Sequence, residues 1–199
     1  MHISEGVLSA PILIGGAIVS TSLLALAIKR LQTQETPLVA VCAALFFVGS
    51  FIHIPMGPTS LHLVLNGIIG AILGLRAFIA IAIALFLQGL LFGYGGLSTL
   101  GINTFNMALP ALIAGSILYI NIKNPFMQKL QFFSIGFLAI SLSALLLALT
   151  LALNDASLIT AAKISFFANL PLMFTEGIIT MFAMIFLQNS YPNLLKKKN

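Results

Sequence analysis

The sequence predicts an all-α integral membrane protein: one bundle of about seven transmembrane helices over residues 1–199, N-terminus outside and C-terminus cytoplasmic. Three observations carry this prediction. Of the 199 residues, 60% are hydrophobic and 7% charged, whereas a soluble domain needs roughly 25% charged residues to wet its surface. The apolar runs are long enough to span a bilayer as helices. The basic residues punctuate those runs and, with one exception, fall on one side of the bundle.

The runs place helices near 9–28, 37–54, 61–75, 77–93, 104–122, 131–153 and 164–188. The first comes after "MHISEG", which has neither the basic n-region nor the small-residue cleavage site of a secretory signal. The second carries the single Cys42, which reads as a small buried hydrophobe, since one thiol forms no internal disulfide and no metal cage. The third is short against a bilayer of about 30 Å, which takes roughly 20 residues. It comes after "PMGPTS", where two prolines and a glycine forbid a continuous helix. The expectation is a loop dipping into the protein, and irregular backbone at depth is tolerated only where it is buried or lines a cavity. The fourth helix ends in "GYGGLSTLG", whose glycines permit a tight loop closing over a site.

Charge placement orients the bundle. Lys29 and Arg30 end the first helix, Arg76 separates the third from the fourth, and Lys123 and Lys129 separate the fifth from the sixth. Lys196 to Lys198 come after the seventh, and only Lys163 falls on the other face. The positive-inside rule then puts the N-terminus out. "MHISEG", "PMGPTSLH" and "GYGGLSTLG" all land on the outer face. The net charge of +5 forms no basic stripe of the kind a nucleic-acid surface needs.

Two of the three histidines lie in outer segments. A free α-amine followed by His2 offers three nitrogens: the amine of Met1, the His2 amide if it deprotonates, and the His2 imidazole. Nickel and copper favour such planar nitrogen fields, whereas zinc prefers a tetrahedron. His62, at the start of the third predicted helix, is the natural donor for the open fourth vertex, because an ionisable residue inside an apolar segment marks function by default. The bland alternatives are a solvated terminal His2 and a His62 bonded between helices. His53 either orients the site, lines an access path or is a plain interfacial histidine. Glu5 is placed to fix the His2 tautomer as an outer carboxylate does, or is merely solvated. Asn66, one turn below His62, and Asn103, Thr104 and Asn106 are candidates for cavity hydrogen bonds.

These blocks resemble the CbiM/NikM family, the membrane substrate-binding subunits (S-components) of energy-coupling-factor (ECF) transporters for cobalt and nickel. The resemblance rests on "MHISEG", "PTSLHLVLNGIIGAILG" and "LFLQGLLFGYGGLSTLGINTFNM", in family order, over most of residues 1–115. It implies a metal site of the Met1 amine, the His2 amide and imidazole, and His62. It also implies a transmembrane coupling subunit and two ABC ATPases as partners, sometimes with a small accessory membrane subunit, in the cell membrane of a prokaryote. Tyr94 departs from the family, whose loop often reads "GHGG". Tyr94 leaves a metal-relay role for the loop in doubt and remains a candidate for a lid.

The expected function is therefore capture of divalent nickel or cobalt as transported substrate, with no bound organic cofactor and no catalysis by this chain. The absence of G-x-x-x-x-G-K-[ST] argues that this chain is not itself an ATPase, and the resemblance implies that ATP hydrolysis falls to other chains. A stand-alone secondary metal permease is the alternative; its support is Glu176, the one mid-span carboxylate. A membrane enzyme finds no paired carboxylates and no nucleophile–base motif.

Overall fold

The computed structural model describes residues 2–56 and 59–195, excluding the side chains of 53–61 and 193. Helix α1 (Ala10–Lys29) leads through a 3-10 turn (Thr33–Glu35) into α2 (Thr36–Gly49). Both helices begin with proline in the first turn, where a missing N–H leaves nothing unpaired. Strands β1 (His53–Met56) and β2 (Thr59–His62) come next, then α3 (Asn66–Leu73), a 3-10 turn (Gly74–Arg76) and α4 (Ala77–Phe92). Helix α5 (Leu100–Gly115) runs on into a 3-10 turn (Ser116–Tyr119). The Asn124 side chain accepts from the amides of Phe126 and Met127 and so caps the N-terminus of α6 (Pro125–Asn154). The described residues finish with α7 (Ile159–Ala168), α8 (Leu170–Ser190) and α9 (Pro192–Leu195).

Among the described residues, five helical stretches are long and apolar enough to cross a membrane by length and composition: Ala10–Lys29, Asn66–Phe92 (which is broken at Gly74–Arg76), Leu100–Tyr119, Pro125–Asn154 and Ala156–Ser190. A shorter apolar stretch covers Thr33–Gly49. The sixth predicted span is longer than expected, and the seventh, expected over 164–188, is two helices broken at Asn169.

The third predicted helix is the main correction. Residues 61–65 do not begin a helix. Leu61 and His62 end a short antiparallel hairpin whose register pairs His53 with His62, so one hairpin interrupts an otherwise helical bundle. Leu63 donates its amide to the carbonyl of Ile52, and Leu65 adopts a left-handed backbone with φ 58°. Helix α3 starts only at Asn66 and covers eight residues, a rise of about 12 Å. Its other end breaks at Gly74 (φ 56°), which a side chain would strain.

Helix α3 lies at the centre of the bundle. Asn66 touches α5 at Met107, and Gly70, further along, meets Ala111 and Gly115. Helices α3 and α5 therefore run the same way, and the chain reverses at Gly74–Arg76 before α4 returns. A Cβ on Gly70 would overlap the carbonyl of Ala111, and one on Gly67 would lie 2.9 Å from Gly136. Small residues at these crossings give helices close approach, as membrane packing requires. Large apolar side chains such as Ile18, Leu90, Phe182 and Phe186 point outward.

The two ends of the bundle differ chemically. At one end, Asn154 at the close of α6 accepts from the Ser9 amide and donates to the Val7 carbonyl, and the 93–99 loop meets Glu5. At the other, Arg76 pairs with the buried Glu35 at 2.6 Å, joining the α1–α2 and α3–α4 turns.

Candidate metal site

The N-terminal segment lies in a socket built by α5 and the glycine-rich loop. Asn103 holds Ile3 through two bonds of 3.0 Å: its Oδ1 accepts from the Ile3 amide, and its Nδ2 donates to the Ile3 carbonyl. The same Nδ2 reaches Thr99 Oγ1 at 3.1 Å. The side-chain amide thus does for Ile3 what a neighbouring strand would do. Ile3 itself is buried with Leu8, Ile102 and Leu147.

Glu5 completes the lashing. Its amide donates to the Gly95 carbonyl at 3.0 Å, and its Oε1 accepts from the amide and hydroxyl of Ser98. The loop can pass this close only because it lacks side chains there. A Cβ on Gly95 would sit 2.9 Å from Asn103 Nδ2, and one on Gly96 would overlap the Glu5 side chain. Both residues also have positive φ, so glycine is required twice over. Glu5 therefore ties the loop down and does not serve the expected role of bonding the His2 imidazole.

The His2 imidazole is delivered beneath this loop. Its ring stacks on His62 with centroids 5.2 Å apart and planes at 16°, and on Tyr94 at 6.4 Å and 15°. Both ring nitrogens of His2 are buried and have no hydrogen-bond partner among the described residues. A buried polar atom left unpaired costs about 1–3 kcal/mol, which a bound ion would offset for the nitrogen it uses. Burial, then the charges of the α-amine and of His62, hold the imidazole well below its ordinary range. It is neutral, as a ligand must be.

His62 sits at the end of β2, not on a helix, with Nδ1 3.2 Å from the Leu63 carbonyl. Tyr94 covers His2 as a ring, where a hydrogen-bonding lid was one expectation. Asn66 is engaged with α5 and α6: its Nδ2 donates to the Met107 carbonyl and to Ser143 Oγ. Asn106 pairs with Thr150 across α6, and Thr104 is buried. Met1 and the His53 side chain lie outside the described residues; no cluster of three His, Cys, Asp or Glu occurs among the described residues. Sequence reading missed Thr99, Ser98 and the linker 63–65. Only Ser98 and Thr99 carried a signal, by lying inside the quoted loop.

The buried nitrogens of His2, without hydrogen-bond partners among the described residues and stacked against His62, are of the chemical kind that binds metal ions, and comparison with known proteins decides the family. A family model described as the cobalt uptake substrate-specific transmembrane region, CbiM, matches residues 2–194. The chain belongs to the CbiM family. A putative metal transport protein of Haemophilus influenzae is 34% identical to this CbiM-family chain over 99% of it and 98% of the relative. A putative fused nickel transport protein NikMN of Archaeoglobus fulgidus is 30% identical over 100% of the chain and 69% of the relative. A cobalt transport protein CbiM of Pelobacter propionicus is 31% identical over 92% and 89%. A crystal structure of a truncated transition metal transporter superposes with a TM-score of 0.77 at 26% identity, covering 95% of this chain and 99% of that one. This CbiM-family member is thus a multi-pass protein of the prokaryotic cell membrane that serves cobalt or nickel transport, and its family is not one of enzymes.

Two results are expected from the socket. Replacing Asn103 with alanine leaves the buried Ile3 amide and carbonyl unpaired, at about 2 kcal/mol, or roughly thirty-fold in the docked population. Hydrogen exchange at the Ile3 amide reads this directly, and an unchanged rate would contradict the clamp. The second concerns pH. His2 has a lowered pKa when folded, so the undocked segment binds more protons. Docking of the metal-free segment is then fully stabilised above about pH 6.5 and weakens as pH falls below it. Glu5 is also lowered, first by the Ser98 amide, and its contribution is lost only on further acidification, through the carboxylate range. Exchange protection of residues 3–5, corrected for intrinsic rate, should drop near pH 6 in the parent but not in His2→Asn.

Proposed function

We propose that this chain is the substrate-specific subunit of an ATP-dependent importer of the ECF type. On this reading it captures divalent nickel or cobalt from outside through the Met1 amine, the His2 amide and imidazole, and the His62 imidazole. The observation that carries the reading is the pair of partnerless nitrogens on His2, buried against the ring of His62. Stacked rings direct their lone pairs in parallel planes, so chelation turns one ring about its χ angles to bring both nitrogens to about 2 Å from one ion. Loss of the amide proton offsets part of the ion's charge inside the low-dielectric bundle.

The basic residues at the ends of α1, α3 and α5 support an N-out, C-in orientation. ATP hydrolysis falls to two ABC ATPases acting through a transmembrane coupling subunit, with room for a small accessory subunit. The permease alternative draws on Glu176, whose carboxyl group is engaged by backbone amides. Nickel titration of the purified chain tests the proposal. Bound nickel should be diamagnetic, as a square-planar nitrogen field demands; a paramagnetic octahedral signal would overturn it. Uptake by vesicles holding this chain alone would favour the permease.

A further inference from the structure

A buried carboxyl group, distinct from the acid of the Arg76–Glu35 pair, is not used by the metal site. Glu176 lies a third of the way along α8, fully buried. Its carboxylate accepts from two consecutive amides 111 and 112 residues away, those of Val64 and Leu65. Both of its oxygens lie within 3.1 Å of the Leu65 amide. Consecutive amides converging on one carboxylate form an anion-holding concavity, here at the N-terminus of α3, where the helix dipole also favours negative charge.

A buried carboxylate is an expensive way to satisfy two amides, and its location gives it a use. His62 is two residues before Val64. Between them, the Leu63 amide is held by the carbonyl of Ile52, in the connection between α2 and β1, and the Leu63 carbonyl approaches the His62 ring. Leu65 is held left-handed, a conformation disfavoured for a side-chain-bearing residue and stabilised by the bonds to Glu176. Removing the carboxylate lets residues 63–65 relax and turns the backbone that carries His62.

We propose that Glu176 is the positioning residue for His62, fixing the ligand-bearing linker from α8. The inference rests on the reading of His62 as a metal ligand. It also makes α8 a direct mechanical link from the site to the far end of the bundle, since α8 continues into α9. Displacement of α8 along its axis would carry the 63–65 linker, and with it His62, away from His2.

The test compares Glu176→Leu, Glu176→Gln and the control Thr180→Val. Thr180 lies one turn further along α8, equally buried, and its loss disturbs packing without touching the linker. In metal-free protein, modification of His62 by diethylpyrocarbonate, read by mass spectrometry, should accelerate at least five-fold in Glu176→Leu. Glu176→Gln retains one oxygen acceptor and should accelerate about two-fold; Thr180→Val should match the parent. With nickel added, Glu176→Leu should show the absorption spectrum of His62→Ala, and Glu176→Gln that of the parent with faster ion release. An unchanged His62 reactivity in both Glu176 variants overturns the proposal, as does equal acceleration by Thr180→Val. If Glu176→Leu fails to fold, the Gln variant against the control decides alone. A parent that binds no nickel overturns the metal-site reading instead, and the metal-free arm still decides the role of Glu176.

Discussion

Inserting leucine after Met1 should abolish metal capture, whereas inserting alanine at the same place should preserve most of it. The difference arises from terminal processing and from the socket. Methionine is removed only before a small residue, so the alanine insertion is trimmed to begin "AHIS" and keeps its amine one residue ahead of histidine. The leucine insertion escapes trimming and leaves two residues ahead of histidine. Its amine, two amides and imidazole would complete four nitrogens without His62, with the added residue between the amine and the clamp at Ile3. A tag fused ahead of Met1 fails for a related reason: its amine is too distant. Uptake measured with termini confirmed by mass spectrometry distinguishes the two insertions. Equal uptake by both would exclude the terminal amine as a ligand.

The second large effect is at His62. Removing a group that merely orients a metal ligand costs 10–100-fold in affinity, so losing the ligand itself in His62→Ala should exceed about 100-fold. The helices should stay assembled, because His62 is only half-buried and is not one of the buried core residues. His53→Ala should change affinity little. The two residues are register partners, so the pair of variants separates ligation from damage to the hairpin. Isothermal titration beside thermal unfolding in detergent checks both, and the reverse ranking would move the fourth ligand to His53.

The residues behind these two effects were legible in the sequence to different degrees. His2 and His62 stood out because an imidazole in an apolar chain has few structural uses. The long helices were legible because spanning a bilayer requires sustained hydropathy: α1 and α4 match their predicted runs to within a residue, while α2 is shorter and α6 longer than expected. Residues 61–65 were not. "LHLVL" is as apolar as a helix, and its extended path is set by the carbonyl of Ile52 and the carboxylate of Glu176, partners that no local pattern reveals. Glu5 failed for the same reason: its partner Ser98 lies 93 residues away, and proximity in sequence pointed to His2. Asn103 was legible only as a polar residue near the site, since it holds a backbone.

A grip on bare backbone makes the tip of the chain exchangeable. Asn103 grips only the main chain of Ile3, and Glu5 and the glycine loop secure the neighbouring residues. The chain therefore offers a holder that grips main chain, and the tip's own side-chain contacts are those of His2 with the rings of Tyr94 and His62. Tips of other composition, with Ile3 to Gly6 unchanged, should seat at the same depth and face the same histidine. Ion preference then becomes a property that can be exchanged at residues 1 and 2, while the bundle and its delivery route stay as they are.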